Sequence, residues 1–136
     1  MRRFLLDTGI GQDFVTRRND VYERADRERL RGNRIGICVP VLGELWSGVE
    51  GSATRQRNHQ LLRIALSQLL VWPYTNEAAQ EFGRLFVELR RSGRPMQQID
   101  IQIAAIALSM GNTIVVSRDS DLSAVPGLTV ENWAVP

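Results

Sequence analysis

The apolar positions of the chain fall into five short runs separated by longer stretches of helical spacing. The runs are RFLLD (residues 3–7), RIGICV (34–39), LLVWPY (69–74), NTIVVS (112–117) and LTVENW (128–133). Their length and their Ile and Val content, highest in the second and fourth, are those of buried parallel strands. Between them the spacing changes to that of helices. Residues 14–32 form a charged helical stretch whose sparse apolar positions are Phe14, Val15, Val21, Tyr22, Ala25 and Leu30. Residues 40–51 start at Pro40, favoured in a first turn, and set Leu42, Leu45, Trp46 and Val49 on one face. Residues 55–69 continue as a third helix. Residues 76–93 carry the stripe Ala78, Ala79, Phe82, Leu85, Phe86 and Leu89, with Asn76 as the expected N-cap and Gly93 as the stop. The stretch QIDIQIAAIALSMGN, beginning at Gln98, is apolar on nearly every side and reads as a helix buried in the core. Strands alternating with helices predict an α/β fold around a mostly parallel sheet.

Length and composition narrow the class. At 136 residues, 43% hydrophobic and 24% charged, the chain reads as one globular domain spanning 1–136. No apolar run approaches a membrane span and no signal peptide is evident, so a cytoplasmic protein is expected. The single cysteine, Cys38, has no disulfide partner and sits in an apolar run, as a small buried residue does. The net charge is only +2, but all 17 basic residues are arginine. The lack of lysine excludes P-loop phosphate binding, Schiff-base chemistry and phosphoacceptor receiver domains. Arginine suits bidentate phosphate contact, which keeps nucleic acid among the possible partners. The single histidine, His59, lies in a polar helix and reads as a surface residue, which removes catalysis built on a histidine base. Trp46, Trp72 and Trp133 read as packing residues.

The acids carry the chemistry. In open parallel sheets ligands bind at the carboxyl ends of the strands. Asp7 closes the first run, and Ser117, Arg118, Asp119 and Asp121 follow the fourth. Asp100 sits at the head of the buried helix among Ile99, Ile101 and Ile103, an expensive place for an unpaired charge. Glu44 lies early in the helix after the second strand. Four acids converging at one sheet edge repel one another unless a cation neutralises them. Hard oxygen ligands favour Mg²⁺ or Mn²⁺, and metal-assisted phosphodiester hydrolysis is the chemistry such a site supplies. Each acid also has an ordinary reading: Asp7 as a turn residue, Glu44 as an exposed helical charge, Asp100 as a helix N-terminal acid, Asp119 and Asp121 in an Asx-type turn. The triplet Asp7-Thr8-Gly9 matches the aspartic-protease signature, but those proteases are all-β and most of this chain reads as helical.

Four segments in order resemble the PIN-domain nucleases, specifically the VapC-type toxins: FLLDTG, VPVLGELWSGVE, GRPMQQIDIQIAAIAL and TIVVSRDSDLSAVPGLTVENW. The resemblance covers essentially the whole chain. It implies a three-layer α/β/α sandwich with a five-stranded sheet in the order 3-2-1-4-5. It implies Mg²⁺- or Mn²⁺-dependent cleavage of an RNA substrate by a metal-activated water, a homodimer, and inhibition by a small antitoxin. Asp7 and Asp100 would be the main metal ligands, with Glu44 and Asp119 completing the acidic pocket. Thr8 and Ser117 would hydrogen-bond the carboxylates or ordered waters, and Asp121 ranks last. Gly9 stands where the family has Asn, so another residue or a water must replace a missing side-chain amide.

Two other functions compete. A phosphohydrolase of the haloacid dehalogenase type needs a second Asp two residues after the first, and a lysine; Gly9 occupies that place and lysine is absent. An inactive or non-toxin PIN-like module for RNA binding or processing would have no reason to keep the whole acidic set. Arg17, Arg18, Arg24, Arg27, Arg29, Arg31, Arg55 and Arg57 offer a phosphate-binding rim, with a solvated face as the ordinary reading for most of them.

Overall fold

The computed structural model describes residues 1–134. The chain runs β1 (Arg3–Leu6), α1 (Thr8–Thr16), α2 (Val21–Leu30), β2 (Arg34–Cys38), α3 (Val39–Glu50), α4 (Arg55–Leu66), β3 (Leu70–Trp72), α5 (Asn76–Arg91), α6 (Gln98–Met110), β4 (Thr113–Val116), a 3-10 turn (Leu122–Ala124) and β5 (Thr129–Glu131). The five strands form one sheet in the order β3-β2-β1-β4-β5, as expected. All four neighbouring pairs are parallel. Consecutive residues Phe4, Leu5 and Leu6 are all buried, as are Ile114, Val115 and Val116. Side chains alternate between the faces of a strand, so both faces of the sheet are covered by helices. The outcome is the three-layer α/β/α arrangement.

The topology fixes where a ligand can sit. β1 lies beside both β2 and β4, and the connections leave it in opposite directions. The switch point therefore falls between the carboxyl ends of β1 and β4. Leu6 is in register with Val116, and the Asp7 amide donates to the Val116 carbonyl at 3.0 Å. Asp7 and Ser117 are thus brought side by side. The α6 helix packs against α5, α3 and β4, and buries Ile101 and the run Ile103–Ala107, which accounts for its nearly uniform apolarity.

Several expectations change in detail. The charged stretch 14–32 is two helices rather than one, and the first begins immediately after Asp7. The break is made by Arg17, Asn19 and Asp20, all with left-handed φ of 56° to 61°. Asn and Asp tolerate that region better than other L-residues. Leu30, one of the sparse apolar positions of that stretch, is 83% exposed at the end of α2. The N-cap of α5 is Thr75, whose Oγ1 accepts the Ala78 amide at 3.1 Å, and Asn76 is the first helical residue. Of the α5 stripe, Ala78, Leu85 and Leu89 are buried and Phe82 is half-buried, while Ala79 and Phe86 are exposed. The Gly93 stop holds, with φ of 73° after the helix end. His59 is half-buried against Trp46, ring centroids 4.8 Å apart, rather than free on the surface. Cys38 is fully buried, and burial pushes its thiol up to about 11, which keeps it unreactive.

Candidate active site

Asp7 has a structural task as well as a place in the site. Its backbone leaves the sheet in an extended conformation, and its carboxylate accepts the Ile10 amide at 2.9 Å. It is the N-cap of α1, so the acid that ends β1 also starts the next helix. The residue is 9% exposed, and burial pushes its carboxyl above the ordinary value. Hydrogen bonds from the Ser117 hydroxyl and the Ile10 amide work against that shift, as does the nearby Arg118 guanidinium; Asp119 adds to it. Ser117 is itself buried, and its Oγ accepts the Asp119 amide at 2.9 Å. Ser117 therefore stands between the Asp119 backbone and the Asp7 carboxylate.

Asp100 occupies the first turn of α6, where the helix N-terminus favours negative charge. Its carboxyl is nevertheless pushed up to about 6, first by burial and then by the charges of Asp119, Asp7, Asp121 and Glu44, in that order. Every acid singled out in the sequence therefore acts on Asp100. Glu44 reaches it from the exposed face of α3, which packs on α6. Asp121 and Glu44 act on Asp100 as well, from the loop after β4 and from α3. The Asx-type turn is present too: the Asp119 carboxylate accepts the Asp121 amide at 2.9 Å.

Thr8 is the second site residue on α1. Its Oγ1 is shielded from solvent and has no hydrogen-bond partner among the described residues. A buried hydroxyl without a partner is costly, and one beside a cluster of like charges suits a site that takes a hydrated cation. Among the described residues no group of three His, Cys, Asp or Glu side chains is arranged to hold an ion by itself.

Two residues of this neighbourhood escaped the sequence reading. Asp13, on α1, is only 6% exposed and pairs with the Arg118 guanidinium through its Oδ2. The Asn19 amide supports the same oxygen at 3.1 Å. The available signal was an acid among the apolar neighbours of GQDFV, one turn after Gly9. Gly9 leaves room beside the Arg118 guanidinium: a Cβ on Gly9 would stand 3.0 Å from Arg118 Nη2 and 3.8 Å from Asp7 Oδ1. The arginine rim is partly engaged within the chain. Arg17 lies over the Tyr22 ring at 4.1 Å, Arg55 pairs with Glu50 at 3.5 Å, and Arg31 pairs with Glu28 at 3.3 Å.

A parallel sheet in this order, with carboxylates gathered at its switch point, agrees with the match of residues 4–128 to the PIN-domain model. The chain belongs to the PIN-domain family. Within it, the similarity runs to VapC ribonucleases. The chain is 33% identical to the tRNA(fMet)-specific endonuclease VapC of Shigella flexneri, over 98% of this chain and all of that one. It is 29% identical to ribonuclease VapC2 of Rickettsia felis, over 96% of this chain and 97% of the relative. A crystal structure of DNA-bound VapBC from Salmonella typhimurium superposes with a TM-score of 0.88 at 30% identity, covering 98% of this chain and 99% of that one.

Proposed function

We propose that the chain is a metal-dependent endoribonuclease, the toxin of a toxin–antitoxin pair, acting as a single cytoplasmic domain. The observation that carries this reading is the convergence of acids at the β1/β4 switch point, with Asp7 closing β1, Asp100 in the first turn of α6, and Asp119, Asp121 and Glu44 near enough to push the Asp100 carboxyl up. Such a charge density at a sheet edge calls for a divalent cation, and Mg²⁺ or Mn²⁺ matches the all-oxygen donors. Asp7 and Asp100 would be the main ligands, and Glu44 and Asp119 would complete the pocket directly or through water. When bound, the ion supplies an activated water and offsets the charge that develops on the phosphoryl group.

The chain's own residues do the rest. The α1 cap and the Ser117 hydroxyl hold the Asp7 carboxylate in one orientation. The Asp119 amide fixes Ser117 in turn. Thr8 Oγ1 offers a buried hydrogen-bonding group to ordered water in the site. Asp121 adds negative charge at the outer edge.

The names of the relatives supply the partners. An RNA is the substrate, and tRNA(fMet) is the first to assay because a full-length relative is named for it. A small antitoxin is the inhibitor, by analogy with the VapBC complexes the chain resembles, and the homodimer is what the family resemblance implies. No helix among the described residues is long and apolar enough to cross a membrane. The test is RNA cleavage by the purified chain with Mg²⁺ or Mn²⁺ and with a chelator. Metal-dependent cleavage supports the proposal. RNA binding without cleavage under every metal condition points instead to a PIN-like binding module.

A further inference from the structure

We propose that Arg118 is a phosphate-contacting residue of the active site, held in place by Asp13 and admitted by the missing side chain at Gly9. The proposal rests on the nuclease reading above. One guanidinium nitrogen, Nη1, is paired with the buried Asp13 carboxylate, and the Asn19 amide donates to the same oxygen at 3.1 Å. The second, Nη2, lies 3.0 Å from where the first carbon of a side chain at position 9 would stand, so a longer side chain there would compete for its space. It makes no hydrogen bond among the described residues, although the guanidinium is close enough to Asp7 to lower its carboxyl.

Arginine has a planar fork of donors that matches two phosphate oxygens. Here one side of the fork is anchored and the other is open. The side chain is 45% exposed, so a substrate can reach it. It lies between Ser117 and Asp119 in sequence, at the lip of the acidic cluster. An RNA backbone brought to that cluster meets strong repulsion from the carboxylates, and a fixed cation at the lip opposes it. The Asp13–Asn19 brace explains why the guanidinium stays at the lip and does not fold onto Asp119 or Asp121. The left-handed turn at Arg17–Asp20 acquires a purpose, because it carries the Asn19 amide to Asp13. Gly9, the departure from the family pattern, becomes the residue that opens the space.

The experiment measures kcat/KM for RNA cleavage with Mg²⁺ across a salt series. The variants are Arg118→Ala, Arg118→Lys, the double variant Asp13→Ala/Arg118→Ala, and Gly9→Asn with and without Arg118→Ala. Arg118→Ala should lower kcat/KM by roughly ten- to hundredfold, the range for a lost hydrogen bond to a charged group. It should also flatten the salt dependence by about 0.7 in log–log slope, one phosphate contact on a single strand. Arg118→Lys should restore the slope and part of the rate. The double variant removes the charge stranded on Asp13; it should recover any melting temperature lost by Arg118→Ala and leave the cleavage defect. Gly9→Asn should displace the guanidinium, so that adding Arg118→Ala costs little more. Restored cleavage in the double variant, or an unchanged salt slope in Arg118→Ala, would overturn the proposal by making the pair purely structural. A wild-type chain that fails to cleave RNA with any divalent metal would defeat the nuclease reading itself.

Discussion

The Asp7 carboxylate accepts the Ile10 amide at 2.9 Å, so a single side chain both starts helix α1 and charges the site. Asparagine caps helices about as well as aspartate, whereas alanine costs ~1 kcal/mol. Asp7→Asn should therefore leave stability near or above wild type, because burial already disfavours the charge. Asp7→Ala should lower stability by about that cap energy. Both should abolish metal-dependent cleavage. Chemical denaturation run beside the cleavage assay separates the two tasks; equal stability losses in both variants would contradict the cap assignment.

The Asp100 carboxyl titrates at about 6 in the folded chain, against an ordinary value of 3.8. Between those two values the folded state binds more protons than the unfolded state. Stability from this group therefore rises as pH falls from 7 through 6 towards 4, and is lost as pH rises again. Asp7 shifts in the same direction. Asp100→Asn should be more stable than wild type at pH 8, with the advantage shrinking towards pH 4.5. Mg²⁺ should raise the wild-type melting temperature more at pH 8 than at pH 5, because protons compete for the same oxygens. A wild-type-to-variant gap that is flat across this range would show that Asp100 is not held as described.

Thr8 Oγ1 is buried without a partner among the described residues, so its removal should not destabilise the fold. Thr8→Val keeps the shape and deletes the hydroxyl. The expected result is a melting temperature equal to or above wild type, together with weaker Mg²⁺ or Mn²⁺ binding by calorimetry. A clear loss of stability would mean that the hydroxyl is satisfied within the fold and has no part in binding the ion.

Gly36 marks a close approach inside the sheet. An added Cβ would stand 2.6 Å from the Leu70 carbonyl oxygen and 2.7 Å from the Trp72 ring. Neither neighbour can yield without moving β3, which pairs with β2 at Gly36↔Leu70. Gly36→Ala should cost about 1–3 kcal/mol, the usual range for overpacking. Urea unfolding checks it, and a neutral result would mean that this edge of the sheet is looser than described.

Periodicity made most of the fold legible. Strand runs rich in Ile and Val announced β2 and β4, and the nearly uniform apolarity of residues 98–110 announced a helix packed on several sides. The split between α1 and α2 was not visible in periodicity, because it depends on left-handed backbone at Arg17, Asn19 and Asp20. Asp7 and Asp100 were legible because they lie at a strand end and a helix start, where the topology gathers ligands, and Asp119 because it follows the end of β4 closely. The arrangement of Asp13 and Arg118 was not, because they meet across 105 residues of sequence. The N-cap at Thr75 was missed by one residue because Asn76 is an equally good capping type and only the backbone decides between them.

The central claim is that Asp7 and Asp100 hold a divalent cation with which this chain cuts RNA. The most direct measurement is the rate of cleavage of a structured RNA by wild type, Asp7→Asn and Asp100→Asn, each with Mg²⁺, with Mn²⁺ and with chelator. The account predicts cleavage by wild type only when a divalent ion is present, and its loss in both isosteric variants. Cleavage at the wild-type rate by either variant, or undiminished cleavage in chelator, would contradict it.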